Sequence, residues 1–269
     1  MVRVIITGVA GRMGRAVLAV AKMDKAIDVV GVIEQKGHPM IGKEIAGKEI
    51  EGSSSHGDEP LVIMDGLSGI IEDADVVIDF TEPNASINHF KVATQFNKAI
   101  VIGTTGLSDE AIDEIKKTKG ARVVLSPNMS IGMNLMFEVV GRLSAIMKDE
   151  YDIEIVEMHH RMKKDAPSGT ALRLKEIVVA SAPEKRWAEV YGRKGLIGER
   201  KRDEIAIFAL RGGDVVGEHT VIFAGQGERL EVTHRAYSRE NFAKGALTAA
   251  KWVMNQREGI YSMKDVLGI

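Results

Sequence analysis

The densest run of groups able to do chemistry is Glu157-Met158-His159-His160-Arg161-Met162-Lys163-Lys164-Asp165-Ala166-Pro167-Ser168-Gly169-Thr170-Ala171. Histidine ordinarily titrates near ~6.5 and can give and recover a proton at neutral pH. Lysine, near ~10.4, stays charged and can both hold an anion and donate. His159 and Lys163 stand four residues apart, so a turn between them would bring both to one reactant. His160, Arg161 and Lys164 add positive charge. Pro167-Ser168-Gly169 opens a helix whose first amides make a ready site for a carboxylate or phosphate. A small anionic molecule suits such a segment, with general acid catalysis as the chemistry. Neighbouring histidines on a strand face opposite ways, and no cysteine or carboxylate stands at ligand spacing, so no metal site is expected. These residues also allow a blander reading, a basic surface loop with an ordinary Ser168 cap.

A second cluster opens the chain. Val4-Ile5-Ile6 runs into Thr7-Gly8-Val9-Ala10-Gly11-Arg12-Met13-Gly14, an apolar strand, a glycine turn and a helix start. The spacing is G-x-x-G-x-x-G, a variant of the commoner G-x-G-x-x-G. Such a turn lets the backbone approach a pyrophosphate and aims helix amides at it. Glu34 follows the next strand, 20 residues after Gly14, where an acid would hold the adenosine ribose hydroxyls. Later strand ends give Asp79-Phe80-Thr81, Gly103-Thr104-Thr105-Gly106 and Ser126-Pro127-Asn128. In a doubly wound sheet such ends line the ligand crevice, and their small hydroxylic residues suit a nicotinamide and ribose. Each taken singly is equally ordinary turn chemistry.

The elements that must carry these groups follow from periodicity. Continuous apolar runs at 4–6, 29–33, 76–78, 99–102 and 123–125 alternate with helical stretches at 13–23, 85–96 and 109–118. Buried strands alternating with helices predict an α/β domain with a parallel sheet covered on both faces. Ser108 is a candidate N-cap, with Asp109 and Glu110 in the first turn. After about residue 150 the pattern changes. A strand at 152–158 and a helix at 168–180 precede strand-like runs at 205–210, 215–223 and 229–236. Arg211-Gly212-Gly213-Asp214 and Gly225-Gln226-Gly227-Glu228 punctuate them as hairpin turns, predicting a mostly antiparallel or mixed sheet. Residues 238–256 predict a final helix capped by Ser238, with Ala243, Gly245, Ala246, Ala249 and Ala250 for tight packing. The expected division is residues 1–129 plus 238–269 as a dinucleotide-binding domain and 130–237 as a substrate and tetramerisation domain.

Composition excludes several classes. The chain has 269 residues, 45% hydrophobic and 28% charged, an ordinary globular balance. It has no cysteine, which rules out disulfides and thiolate chemistry and fits a cytoplasmic setting. No apolar run approaches a membrane span, and the start lacks a signal-peptide layout. A net charge of −2 makes no case for nucleic acid, and the basic stretch 193–202 is expected as a solvated or substrate-facing loop.

The segment from Glu154 to Ala171 resembles the signature of the dihydrodipicolinate reductase family of lysine and diaminopimelate synthesis. The likeness extends to Gly8 through Arg15, Gly103-Thr104-Thr105-Gly106, Asn128, Arg211-Gly212-Gly213-Asp214, Gly217-Glu218-His219-Thr220 and Ser238-Arg239. The resemblance implies a Rossmann-like domain with a second, mixed α/β domain that also builds a homotetramer. It implies His159 as proton donor and acceptor, Lys163 as proton donor, and His160, Gly169 and Thr170, with Ser168 beside them, as holders of a dicarboxylate. Gly8, Val9, Ala10, Gly11, Arg12, Met13, Glu34, Gly103, Thr104, Thr105, Ser126, Pro127, Asn128 and Met129 are implied as cofactor contacts. Hydride would add at ring carbon 4 of a conjugated imine, and carbon 3 would then take a proton. Many members carry arginine after the ribose acid, whereas this chain has Gln35. NADH and NADPH are therefore both expected, NADH equally well or better. The rivals are another two-domain reductase, of which the semialdehyde class needs a thiolate this chain lacks, and a non-catalytic cofactor sensor.

Overall fold

The computed structural model describes residues 1–45 and 60–269. They divide into two units, Met1–Ile131 with Arg239–Ile269, and Gly132–Ser238. The first unit begins with strand β1 (Val2–Thr7), helix α1 (Arg12–Met23) and strand β2 (Ile27–Ile33). Short strands β3 (Glu44–Ile45) and β4 (Leu61–Met64) follow. Then come β5 (Val76–Asp79), α2 (Pro83–Gln95), β6 (Ala99–Ile102), α3 (Asp109–Lys117) and β7 (Arg122–Leu125). The sheet runs β7-β6-β5-β1-β2-β4-β3, parallel except at the β3–β4 edge.

Successive residues of the central strands enter different cores. Val4, Ile6, Val76, Ile78, Ala99 and Val101 join one cluster, while Ile5, Val77, Ile100 and Ile102 join the other. That is why these strands are apolar through their middles: a sheet covered on both sides has no solvent face there for polar residues. Helix α1 packs on one side and α2 and α3 on the other, through Val17 and Leu18 and through Phe90 and Ile115. Ser108 caps α3 by accepting from the Ala111 amide at 3.2 Å, as its sequence predicts.

The second unit holds α4 (Ile131–Met147), β8 (Asp152–His159), α5 (Gly169–Ala180), β9 (Ala188–Val190), β10 (Glu204–Arg211), β11 (Gly217–Ala224) and β12 (Arg229–Ala236). Its sheet, ordered β12-β11-β8-β10-β9, is mixed: β8, β9 and β10 are parallel, while β11 is antiparallel to β8 and β12. Burial alternates strictly along β8, with Ile153, Ile155, Glu157 and His159 on the buried face. Helices α4 and α5 cover that face through Met133, Met136, Val140, Leu174 and Val178.

Two expectations need correction. Residues 211–214 do not form a hairpin, because β8 lies between β10 and β11 and the turn crosses over it. Of the two turns, 225–228 is the hairpin, closed by the Gly225 amide on the Glu228 carbonyl at 3.0 Å. Two glycine turns look alike locally, and strand pairing alone separates them. The helix from 238 is α6 (Glu240–Val253); Arg239 holds its N-cap position without a side-chain cap bond. It is not the last element, since β13 (Gly259–Tyr261) pairs with β7 and α7 (Met263–Leu267) follows. The basic stretch 193–202 is solvated along most of its length, with only Arg193 and Arg200 half-buried. Arg193 grips Glu154 at 2.8 and 3.0 Å, and Arg200 reaches Glu154 at 2.8 Å and Asp152 at 2.7 Å.

Helix α4 has no clean apolar stripe to mark it in the sequence. Gly132 and Gly141 interrupt it, and Leu135, Val139 and Ile146 are exposed. No helix among the described residues is long and apolar enough to cross a membrane.

Candidate active site

In the first unit the chain leaves β1 and turns sharply. Gly8 has φ +67°, and a side-chain carbon at Gly14 would stand 2.1 Å from the Gly8 carbonyl oxygen. Only glycines allow the turn and the helix to lie this close. Gly11 is the N-cap of α1 and has no side chain to cap it, so the helix presents its first amides. Beside the turn lies a cleft of about 430 Å³ whose walls include Gly8, Gly11, Glu34, Gln35, Lys36, Phe80, Thr81 and His89. Glu34 is held across it: its carboxylate accepts from the Ala10 amide at 2.8 Å and the Gln35 amide at 2.9 Å. Each carboxylate oxygen keeps a further lone pair for a hydroxyl. The glycine cradle, open helix start and anchored acid fit a dinucleotide.

Under this cleft, Thr7 and Asp79 are register partners at the carboxyl ends of β1 and β5, where the strand order reverses. Asp79 is fully buried yet charged. Burial alone would push its carboxyl up, but the His89 imidazole at 2.5 Å, with Ser86 at 2.6 Å and Thr104 at 2.9 Å, brings it down to about 2. Thr7 adds a bond at 3.0 Å, and the Thr81 hydroxyl another at 2.9 Å. This carboxylate ties the ends of β1, β5 and β6 to helix α2 beneath the turn.

The second unit brings its polar residues together where β8 ends. Glu157 and His159 are two residues apart on one strand, hence on one face, and His159 Nδ1 lies 2.5 Å from Glu157 Oε2. Arg211, the register partner of His159 on β10, forks onto Glu157 at 2.8 and 2.9 Å. The Ser168 amide donates to Glu157 Oε1 at 3.0 Å. Burial raises the Glu157 carboxyl, but His159, Arg211 and the Ser168 amide outweigh it and hold it at about 2. His219, across from Glu157 on β11, packs edge-on against His159 at 5.1 Å. Burial and then the charge of His159 push its imidazole down to about 3, so it stays neutral.

Gly169 and Thr170 are the first two residues of α5, and Ser168 caps it by accepting from the Ala171 amide at 3.2 Å. Lys163 lies in the loop before this helix, its ammonium 3.0 Å from Asp165. His160 is half-buried, its amide bonded to the Val215 carbonyl at 2.7 Å. His159, Lys163, Ser168, Gly169 and Thr170 therefore come from one strand, loop and helix start. The Ser168 amide donates to Glu157, and its hydroxyl accepts from the Ala171 amide and lies 3.1 Å from His219 Nε2.

Of the expected cofactor residues, Gly8, Gly11 and Glu34 line the cleft. Gly103 backs it: a side-chain carbon there would stand 2.1 Å from the Phe80 ring. Thr104 joins the Asp79 network, accepting from the Thr81 amide at 3.0 Å. Val9 and Met129 are core side chains, leaving only their backbone for a ligand. Arg12, Thr105 and Pro127 are exposed, and Ala10 and Met13 half-buried. Ser126 and Asn128 form a local turn, the Ser126 hydroxyl on the Asn128 carbonyl at 2.9 Å. Sequence reasoning missed His89 and the carboxylate role of Asp79, and it missed Glu157, Arg211 and His219. Only Glu157 had a local signal, the alternation Ile153, Ile155, Glu157, His159.

Known proteins match the chain end to end. The model described as "Dihydrodipicolinate reductase, N-terminus" matches residues 2–129, and its C-terminal counterpart matches 132–267. A 4-hydroxy-tetrahydrodipicolinate reductase of Syntrophus aciditrophicus is 48% identical over 270 residues, covering 100% of this chain and 99% of its own. One from Syntrophobacter fumaroxidans is 47% identical, with both chains covered completely. Among solved structures, a dipicolinate-bound dihydrodipicolinate reductase from Paenisporosarcina sp. TG-14 superposes with a TM-score of 0.78 at 26% identity, covering 98% of this chain and 99% of that one. An amine dehydrogenase from Mycobacterium smegmatis, at 12% identity and a TM-score of 0.57, shares the fold alone. With a glycine-turn cleft in one unit, an acid-base cluster at a helix start in the other, and full-length relatives of one description, the chain belongs to the dihydrodipicolinate reductase family.

Proposed function

We propose that the chain reduces 4-hydroxy-tetrahydrodipicolinate, through its dehydrated imine, to tetrahydrodipicolinate in diaminopimelate and lysine synthesis. The observation that carries this reading is the β8–α5 junction. There a buried imidazole held by Glu157 stands in the same short segment as Lys163 and the helix start at Gly169 and Thr170. Cations and helix amides are what a dicarboxylate requires, and an imidazole is what a proton transfer requires.

In this reading Gly169, Thr170 and His160 hold the carboxylates, and Lys163 exchanges Asp165 for a substrate carboxylate. His159 Nε2 delivers the proton to the ring carbon, with Lys163 as a second donor. Ser168, the cap of that helix start, stands with them in the substrate site. A nicotinamide cofactor goes with the family, and when bound it supplies the hydride. Gly8 through Met13 would cradle its pyrophosphate and Glu34 its adenosine ribose, with Gly103 to Thr105 and Ser126 to Met129 towards the nicotinamide. Glu34 accepts from both hydroxyls of an NADH ribose and repels a 2′-phosphate, while Lys36 on the same wall and Arg12 offset part of that repulsion. Both cofactors are used, NADH equally well or better. The working form is a cytoplasmic homotetramer assembled through the second unit's sheet, and no metal, nucleic acid or membrane takes part.

The test is a coupled assay. Pyruvate, aspartate semialdehyde and the upstream synthase generate the substrate in place, and reduced-cofactor absorbance is followed after adding this protein. Absorbance should fall only when every component is present. A cofactor that binds but is never oxidised would favour a sensor instead.

A further inference from the structure

We propose that Glu157 is the positioning residue of this site, holding both the His159 imidazole and the start of helix α5 through its two carboxylate oxygens. The proposal rests on the reading of His159 as proton donor. Glu157 is completely buried and receives four donors. Oε2 faces His159 Nδ1 at 2.5 Å and Arg211 Nη1 at 2.8 Å. Oε1 accepts from the Ser168 amide at 3.0 Å and Arg211 Nη2 at 2.9 Å. The guanidinium continues to the Asp165 carbonyl at 2.6 Å, fixing the loop that carries Lys163.

An ionised carboxylate only accepts, so the proton between Glu157 and the ring belongs to Nδ1. Neutral His159 is then the Nδ1–H tautomer with its lone pair on Nε2, and imidazolium carries its transferable proton on Nε2. Nε2 borders Gly217, where a side-chain carbon would intrude to 3.0 Å, so glycine there leaves the nitrogen room. In the transfer, the Nε2–H bond breaks with its electron pair staying on nitrogen. The pair on the substrate carbon forms the new C–H bond, and water later returns a proton to Nε2. Arg211 cancels the carboxylate's charge, and His219, neutral at 5.1 Å, adds no competing cation. The Ser168 amide on Oε1 means that imidazole and anion-binding amides share one rigid mount. Such second partners of a catalytic histidine set its tautomer.

The test reads the tautomer directly, from two-bond ¹H–¹⁵N spectra of the full chain labelled with ¹⁵N-histidine at high pH. The His159 signals are identified by their loss in His159→Gln. The wild type should show Nδ1–H. In Glu157→Gln the amide oxygen is claimed by Ser168 and Arg211, so its NH₂ faces Nδ1 and the ring should invert to Nε2–H. kcat should fall by about 10²–10⁴ with a smaller change in KM, as when a general acid is misoriented. Glu157→Asp should keep Nδ1–H and recover part of kcat. An Nε2–H wild type overturns the proposal without any variant having to fold. So does Glu157→Gln with tautomer and kcat unchanged. His159→Gln with normal kcat would instead sink the proton-donor reading, leaving the tautomer to judge Glu157.

Discussion

At the end of β8, His159 has 8% of its surface exposed, enough for one ring edge to meet a reactant while Nδ1 is committed to Glu157. Removing that edge should leave binding largely intact and remove the proton. His159→Gln and Lys163→Ala are each expected to lower kcat by about 10²–10⁴. Cofactor affinity, measured by calorimetry, should hardly change, because the glycine turn belongs to the other unit. His160→Gln should act mainly on KM, as expected of a group that binds ground state and transition state alike. Near-normal kcat in both of the first two variants would refute these assignments. Residue 35 carries a second expectation, since Gln35 lines the cleft beside Glu34. Gln35→Arg adds a charged fork for a 2′-phosphate, and charge-assisted bonds contribute ~1.5–3 kcal/mol. The ratio of kcat/KM for NADPH to that for NADH should therefore rise about 10-fold or more; an unmoved ratio would place the phosphate elsewhere.

Elements in the first unit meet at contacts that tolerate no added atom. Helix α6 packs against α1 and the parallel sheet through Ala243, Ala246, Ala249 and Ala250. At Gly245 a side-chain carbon would lie 1.7 Å from the Met129 carbonyl oxygen. In an exposed helix Gly→Ala stabilises by ~1 kcal/mol, but forced overpacking costs ~1–3 kcal/mol or more. Gly245→Ala should therefore lower the urea midpoint at unchanged slope, and a midpoint at or above the parent's would contradict the close approach. The small residues of this helix are legible in the sequence as a packing face. Which backbone they admit is not, because Met129 stands more than a hundred residues earlier.

Across the whole molecule, acid should weaken the second unit before the first. His219 is held at about 3 against an ordinary 6.5, so below ~6.5 the unfolded chain takes up a proton that the folded chain refuses. Stability then falls with pH, by up to ~1.4 kcal/mol per unit for one proton. Glu157, at about 2 against 4.5, contributes fully above 4.5 and is lost only as pH falls from there towards 2. In the first unit Asp79 behaves likewise between 3.8 and about 2. Thermal scans should show Tm declining between pH 6.5 and 4.5, and His219→Asn should flatten that slope; an identical slope would mean His219 is not held neutral. Assembly belongs to this scale too. Strand β12 is largely exposed, and Leu210 and Leu230 are 49% and 40% exposed on the second unit's sheet. Light scattering should give a mass near four times 29.3 kDa, and a single-chain mass at micromolar concentration would count against assembly through this sheet.

The sequence by itself determined whatever depends on neighbours along the chain. Unbroken apolar runs could be strands only in a sheet covered on both faces, and three glycines after the first run could be only a close turn into a helix. The segment from His159 to Thr170 set two histidines and a lysine just ahead of a helix start for the same reason: strand, loop and cap are contiguous. Only the tertiary structure decided which groups complete each site. Arg211 lies 54 residues from Glu157, and His219 lies 51 from Ser168. They meet because β10 and β11 flank β8, and the register of those pairings cannot be read from a turn that resembles a hairpin. His89 reaches Asp79 from a helix whose facing is set by packing on the sheet. Strand order and register are settled by the burial of whole faces at once, so long-range polar partners become visible only after the cores have formed.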